Sequence, residues 1–289
     1  MRYIIIFLVS IFLYGCNFPM PTPEVEVPTV NPTPIPRPTS SPTPPVTEVA
    51  PTQQLPQAPS PTPTSPSTPS GDEAILILEP APGSRLVSPL HVAGVADPTF
   101  EQTLGVQVVL DDGKVLAIGP VYIEAEAGQR GPFGVDIPFE IQGERQAFIQ
   151  VFSVSPRDGG TTHENSVGVV LIDSGDPSIS TISDYPERIT IFQPTSNSQV
   201  AGGTVHVEGF ALASFEQTLV VEVHDINGEV VGLQPVTVNA PDLGLPGPFS
   251  VDVTYTVDQA GPGRIVVRDV SPAFDGDVHR ASVEIELSP

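Results

Sequence analysis

The sequence predicts an all-β protein: two tandem β-sandwiches carried behind an export signal and a proline-rich spacer. Three observations support this. The five residues Phe100-Glu101-Gln102-Thr103-Leu104 recur 115 positions later as Phe215-Glu216-Gln217-Thr218-Leu219. The echo extends from His91-Val92 and His206-Val207 to Asp158-Gly159 and Asp275-Gly276, with the offset drifting only from 115 to 117, so every element keeps its order. Two copies of about 100 residues are tandem domains rather than a solenoid. Within each copy, apolar and polar residues alternate over short runs broken by Gly, Pro and Asp, the period of half-buried strands. Ahead of them, residues 17–71 hold half of the chain's 36 prolines, a composition that cannot pack a core.

Residues 1–16 carry one basic residue, Arg2, and then an apolar run ending in Gly15-Cys16. That run is short for a spanning helix, which needs about 20 residues, and fits a cleaved secretory leader. Leu13-Tyr14-Gly15-Cys16 resembles a bacterial lipoprotein processing site, which implies diacylation of Cys16 and an extracytoplasmic, lipid-anchored chain. Cys16 is the single cysteine of the sequence, so a disulfide does not explain it. Residues 17–71 then form a disordered Pro/Thr/Ser-rich linker held near polyproline II, with an extended limit of about 170 Å.

The first domain spans residues 72–172, with strands expected over 75–78, 90–96, 104–110, 115–123, 133–141, 147–154 and 167–172. A short polar linker, residues 173–188, allows relative motion and leads to the second domain, residues 189–289. Its strands are expected over 189–192, 205–211, 219–224, 230–238, 249–257, 264–270 and 281–287. Seven strands in about 100 residues imply an immunoglobulin-like sandwich. Asp111-Asp112-Gly113 and Ile226-Asn227-Gly228 suit hairpin turns, because Asp-Gly and Asn-Gly tolerate positive φ. Parity puts Phe133, Val135, Ile137 and Phe139 on one face and Asp136 on the other, repeated by Phe249, Val251, Val253 and Tyr255 against Asp252. The core-facing series Leu90, Val92, Gly94, Ala96 and its copy Val205, Val207, Gly209, Ala211 shrink in size. Phe100 and Phe215 are expected to fill the space so left, with Glu101 and Glu216 closing the adjacent turns.

The order of Pro80, Gly94-Val95-Ala96, the Phe-Glu-Gln-Thr-Leu block, Asp112-Gly113, Gly131-Pro132-Phe133, Ser155-Pro156 and Asp158-Gly159 resembles the immunoglobulin-like domain of bacterial spore germination proteins. The second copy resembles it through Pro194, Gly209-Phe210-Ala211, Phe215-Glu216, Asn227-Gly228 and Gly247-Pro248-Phe249. The resemblance implies extracytoplasmic sandwiches in surface lipoproteins, with no catalytic residues assigned.

A formal net charge of −23 with one lysine, Lys114, argues against nucleic acid and against polybasic contact with anionic lipid. No cofactor is expected, and no catalytic residue is assigned: nucleophile elbows, phosphate loops and metal-type histidine spacings are missing. His91 and His206 fall on the strand face opposite the core, and His163 and His279 lie before the last strands. All are read as solvated rather than ligating. Asp225-Ile226-Asn227-Gly228-Glu229 is a fragment of an oxygen-ligand loop, making Asp225, Asn227 and Glu229 weak calcium candidates beside the Asp269, Asp275 and Asp277 group. Phe148 and Phe152 share one strand face and are weak binding candidates, unless the neighbouring domain covers them; the second copy has Arg268 in place of Phe152. If the copies differ in function, the difference lies where the echo fails, at Phe148, Phe152 and the loops around Arg157 and Phe274. The expected function is non-enzymatic: a membrane-anchored surface lipoprotein presenting two domains to an envelope protein or wall polymer. The alternative is a structural spacer or accessory module of a spore-germination or envelope-assembly complex.

Overall fold

A computed structural model describes residues 71–182, 186–213, 215–274 and 276–289. The leader with Cys16 and the proline-rich linker lie outside these residues, as does Asp275. The first domain comprises β1 (Ile75–Glu79), β2 (Arg85–Leu86), β3 (Leu90–Ala96), β4 (Thr103–Leu110), β5 (Val115–Tyr122), β6 (Gly131–Ile137), β7 (Glu144–Val154) and β8 (Thr161–Ile172). The second repeats the order as β9 (Ile189–Gln193), β10 (Ser198–Val200), β11 (Thr204–Ala211), β12 (Thr218–His224), β13 (Val230–Thr237), β14 (Gly247–Thr254), β15 (Gly261–Val270) and β16 (Asp277–Leu287). In each domain a three-stranded sheet, β1-β3-β6 or β9-β11-β14, packs on a four-stranded one, β5-β4-β7-β8 or β13-β12-β15-β16. This is the expected pair of sandwiches. The short strands β2 and β10 escape the sequence reading because two or three residues show no period; they pair parallel to the C-terminal halves of β8 and β16.

The cores follow the predicted parity. Leu90, Val92 and Ala96 are buried, as are Phe133, Ile137 and Phe139. Their copies Val205, Val207, Ala211, Phe249, Val253 and Tyr255 are buried too. The ring that uses the space at Gly94 is not Phe100, however. A Cβ on Gly94 would lie 2.5 Å from Phe133 Cζ and closer still to the Leu76 carbonyl oxygen, so Phe133 covers this glycine across the β3–β6 pair. Phe249 does the same over Gly209.

Phe100 and Phe215 are instead 58% and 48% exposed. The cause is a left-handed pair: Glu101 and Gln102 have φ of 55° and 53°, Glu216 and Gln217 of 47° and 54°, which turns the chain before β4 and β12 and swings the phenylalanine outward. The side chain that fastens this turn is glutamine rather than glutamate. Gln102 Nε2 donates to the carbonyls of Glu126 (3.2 Å) and Gln129 (2.9 Å), and Gln217 Nε2 to that of Asp242 (2.9 Å). The repeated block therefore ties the start of a strand to the loop before β6 or β14.

The described residues of the interdomain segment are pinned rather than free. Its backbone runs back along the first domain, with Ser178 and Arg85 exchanging amide bonds (2.9 and 2.8 Å) and Ile182 N–H donating to the Leu78 carbonyl (3.0 Å). Both sandwiches belong to one compact unit.

Candidate functional site

The two domains meet edge to edge through their last strands. β2 and β10 occupy only the C-terminal halves of the outer edges of β8 and β16, leaving the N-terminal halves with unpaired backbone groups. An open edge of this kind recruits another strand. Here β16 takes β8, antiparallel, with His279 opposite Asn165 and Arg280 opposite Glu164, which fuses the two larger sheets into one path of eight strands, β13-β12-β15-β16-β8-β7-β4-β5. At this point the repeat offset is 116, so Glu164 and Arg280 are equivalent residues facing each other and the seam has a local two-fold axis. The same bond is made twice across it: Ser166 Oγ donates to the Val278 carbonyl (2.9 Å) and Ser282 Oγ to that of Thr162 (2.7 Å).

On this axis sits a cluster that the sequence reading missed. Glu73, just before β1, and Glu187, just before β9, are equivalents, as are His163 of β8 and His279 of β16. Their four ligand-type atoms lie within 4.8 Å of one another. His163 Nε2 is 2.7 Å from Glu73 Oε1, and His279 Nε2 is 3.1 Å from both Glu73 oxygens. Glu187 Oε1 lies 3.4 Å from His279 Nε2 and 3.9 Å from His163 Nε2. The imidazoles stand edge to face, with centroids 4.9 Å apart. Glu73 and His279 are fully buried, while His163 and Glu187 keep 13% of their side chains exposed. Glu187 Oε2 and Glu73 Oε2 also accept the Ala74 (3.0 Å) and Arg188 (3.2 Å) amides. Glu187 Oε1 and His279 Nδ1 are buried without a hydrogen bond among the described residues.

The electrostatics follow from burial. Burial alone would raise the Glu73 carboxyl, but the charge of His279 and bonds from both imidazoles hold it far below the usual carboxylate range. Glu187 is pushed up, first by burial and then by the charge of Glu73. Burial works against a charged His163, yet its bond to Glu73 and the charge of Glu187 raise it overall.

These positions correct the reading of the histidines as solvated. His91 and His206 do sit in solvent, 2.7 Å from Asp136 and 2.6 Å from Asp252. His163 and His279 do not, because β8 and β16 begin six and four residues earlier than expected and carry them inside the seam. A signal was present: one Glu and one His that recur at nearly equal offsets, 114 for Glu73/Glu187 and 116 for His163/His279. It becomes legible only once the domains are known to pack about a two-fold.

Flanking the cluster, the halves of the seam diverge. Arg268 Nη1 reaches Glu222 (2.6 Å), and its Nη2 reaches Asp277 (2.9 Å), which Arg280 also holds (2.6 Å). Glu164 accepts from Gln150 and is raised to about 7, by burial and then by the charge of Asp277. On the other side Arg264, fully buried, binds Asp158 of the first domain (3.0 Å) and Glu284 (2.7 Å), and Arg157 crosses to Glu284 (2.6 Å). Phe148 stacks on Phe274 of the second domain at 4.1 Å, so the neighbouring domain covers it. Phe152 lies over Gly105, where a Cβ would meet its ring at 2.5 Å. Three of the places where the echo fails, Phe148, Arg157 and Phe274, are therefore seam residues.

The weak calcium candidates are occupied with turn chemistry. Asp225 Oδ1 accepts the Asn227 and Glu229 amides (2.9 Å each) and Oδ2 the Asn227 carboxamide (3.2 Å), closing the β12–β13 hairpin. Asp269 and Asp277 hold Arg188 and Arg268.

Two buried carboxylates make an acid-sensitive pair. Burial would raise Glu222, but bonds from His224 and Arg268 override it and hold it at about 2; Asp158 is likewise held at about 2 by the Gly160 amide, Arg157 and Arg264, against burial. Both folded values lie below the unfolded ones, so their stabilisation is present at neutral pH and disappears as pH falls through about 2. Taking Glu222 from 4.5 to about 2, the loss is about 3 kcal/mol. Denaturant titrations between pH 5 and about 2 should show this fall, flattened in Glu222→Gln; an unchanged pH profile in that variant contradicts the assignment.

The family model for the immunoglobulin-like domain of bacterial spore germination matches residues 74–160 and 188–276, more than half of the 289. The chain belongs to this family. Its spore-germination immunoglobulin-like domains are the two sandwiches of the structure, in tandem copies as the repeated motifs imply. Comparison with curated protein sequences finds no match. Among solved structures, a red sea bream transglutaminase is 8% identical, with 75% of this chain covering 31% of that one at a TM-score of 0.26. The titin domains Z1Z2 in complex with telethonin are 14% identical over 75% of this chain and 96% of theirs, at 0.19. CfaE, the adhesive subunit of CFA/I fimbria of enterotoxigenic Escherichia coli, is 12% identical over 76% and 84%, at 0.21. These likenesses are too distant to bear on function.

Proposed function

We propose that this protein is a non-enzymatic lipoprotein, held to the membrane on its extracytoplasmic side by an acylated Cys16, that presents its two spore-germination immunoglobulin-like domains for protein or cell-envelope binding. The observation that carries the reading is the seam. It spends paired strands, buried ion pairs and an aromatic stack on fixing one domain against the other, which is what a presentation device needs. A site worked by moving domains would not need it. The titrating groups converge inside this seam, between strand edges, which favours a positional role over hydrolysis. The Pro/Thr-rich linker supplies reach, and the lone Cys16 behind an apolar leader supplies the anchor. The family supports a second reading, a spacer or accessory module in a germination or envelope-assembly complex.

Cell fractionation with crosslinking tests both. Wild-type chain should pellet with membranes, begin at a lipid-modified Cys16 and crosslink to an envelope component, while Cys16→Ser is released. A Cys16→Ser protein that stays in the membrane overturns the anchor. Replacing both domains by an unrelated sandwich pair of equal length should abolish partner capture; retained capture identifies a spacer.

A further inference from the structure

We propose that Glu73, His163, Glu187 and His279 form an interdomain site for a zinc-class divalent cation, placed on the two-fold axis of the seam and ligated by one glutamate and one histidine from each domain. Imidazole nitrogen with carboxylate oxygen is a donor set for zinc and its transition-metal neighbours; calcium and magnesium take oxygen alone. Geometry agrees with the chemistry. Bonds of about 2.0–2.2 Å in a tetrahedron put ligand atoms about 3.4 Å apart. The four glutamate–histidine separations are 2.7, 3.1, 3.4 and 3.9 Å, and every ligand atom lies within 4.8 Å of the others. Side-chain adjustments of up to about an ångström bring them around one ion.

The hydrogen bonds alone do not complete this cluster. Both Nε2 atoms are directed at Glu73, and Glu187 Oε1, 3.4 Å from His279 Nε2, stays buried without a hydrogen bond among the described residues. A polar atom left buried in that state is destabilising. A divalent cation at the centre gives it a partner, and its two positive charges balance two carboxylates with both imidazoles neutral. The side chains of His163 and Glu187, each 13% exposed, give the ion a way in, while Glu73 and His279 form the closed floor. The first domain brings Glu73 and His163 and the second Glu187 and His279, so a bound ion would join the domains as a fourth fastening beside the paired strands, the arginine bridges and the Phe148–Phe274 stack.

The test uses the full-length protein, stripped with a chelator and equilibrated with zinc alone. Elemental analysis should return one zinc per chain, and saturating zinc should raise the melting temperature by about 5 °C or more. Glu187→Gln and His163→Gln, at the partly exposed positions, should each weaken zinc binding at least tenfold; His206→Gln, at the exposed pair with Asp252, should leave it unchanged. His279→Ala is the less useful variant because it opens a cavity in the seam. Failure of the wild-type protein to hold stoichiometric zinc overturns the proposal. Equal zinc binding by wild type, Glu187→Gln and His163→Gln overturns it as well, by placing the ion elsewhere. This outcome is independent of membrane anchoring and partner capture.

Discussion

Arg264→Ala should cost about 3–5 kcal/mol of stability, the range for breaking a buried ion pair by removing one partner. Arg264 is fully buried on β15 and reaches across the seam to Asp158, whose side chain is 1% exposed. Removing the guanidinium leaves that carboxylate with Arg157 and the Gly160 amide, in a space emptied of its main counter-charge. The loss should fall on the junction first: amides of β8 and β16 at the seam should exchange faster with solvent while those of β4 and β12 keep their protection. Arg264→Met with Asp158→Asn should lose less than the two single variants summed, because the double change leaves no unpaired charge. Chemical denaturation and hydrogen exchange measure both effects. A loss under 1 kcal/mol, or exchange that rises evenly through both sandwiches, contradicts the assignment of Arg264 as the junction's fastening.

Gly209→Ala should destabilise by about 2–3 kcal/mol, the cost of inserting a group into a filled core. The sign is informative, because alanine in an ordinary strand interior is more stable than glycine by about 0.5–1 kcal/mol. Here the added Cβ would stand 2.5 Å from Phe249 Cε1 and closer to the Thr190 carbonyl oxygen of the neighbouring strand. Phe249→Leu can relieve the ring contact but not the contact with backbone oxygen, so the double variant should recover part of the loss. Gly94→Ala should behave alike, against Phe133 and the Leu76 carbonyl. Denaturation midpoints decide it; a neutral or stabilising Gly209→Ala means the β9–β11 pair yields more easily than the geometry indicates.

Much of the fold was legible because a sandwich writes its two faces into alternate residues. Leu90, Val92 and Ala96 could be placed inward and His91 and Asp136 outward without coordinates. What parity does not carry is the dihedral state of a turn. The left-handed pair at Glu101-Gln102 reversed Phe100 from filler to surface, and Gly94 makes room for Phe133 of the paired strand rather than for the nearby Phe100. The seam was less legible still. A strand's open half-edge exists only because β2 is short, and Glu73 lies 206 residues from His279, so the spacing rules that reveal local metal sites are silent. The echo did point to the right places where it failed: Phe148, Arg157 and Phe274 diverge from their counterparts because each faces the other domain.

The two-fold seam also has a meaning for assembly. Its strand pairing, its two serine bonds and its Glu–His cluster are isologous, made by one surface meeting its own copy, as in a symmetric homodimer. A single such domain, with its own glutamate, histidine and half-open last strand, carries the symmetric part of these contacts and could pair through it with a second molecule of itself. Joining two copies through residues 173–188 turns that encounter into an intramolecular one, at an effective concentration set by the tether. Once joined, the halves no longer have to match, and each is free to acquire what the other lacks: Arg268 where the first copy has Phe152, Arg280 where it has Glu164.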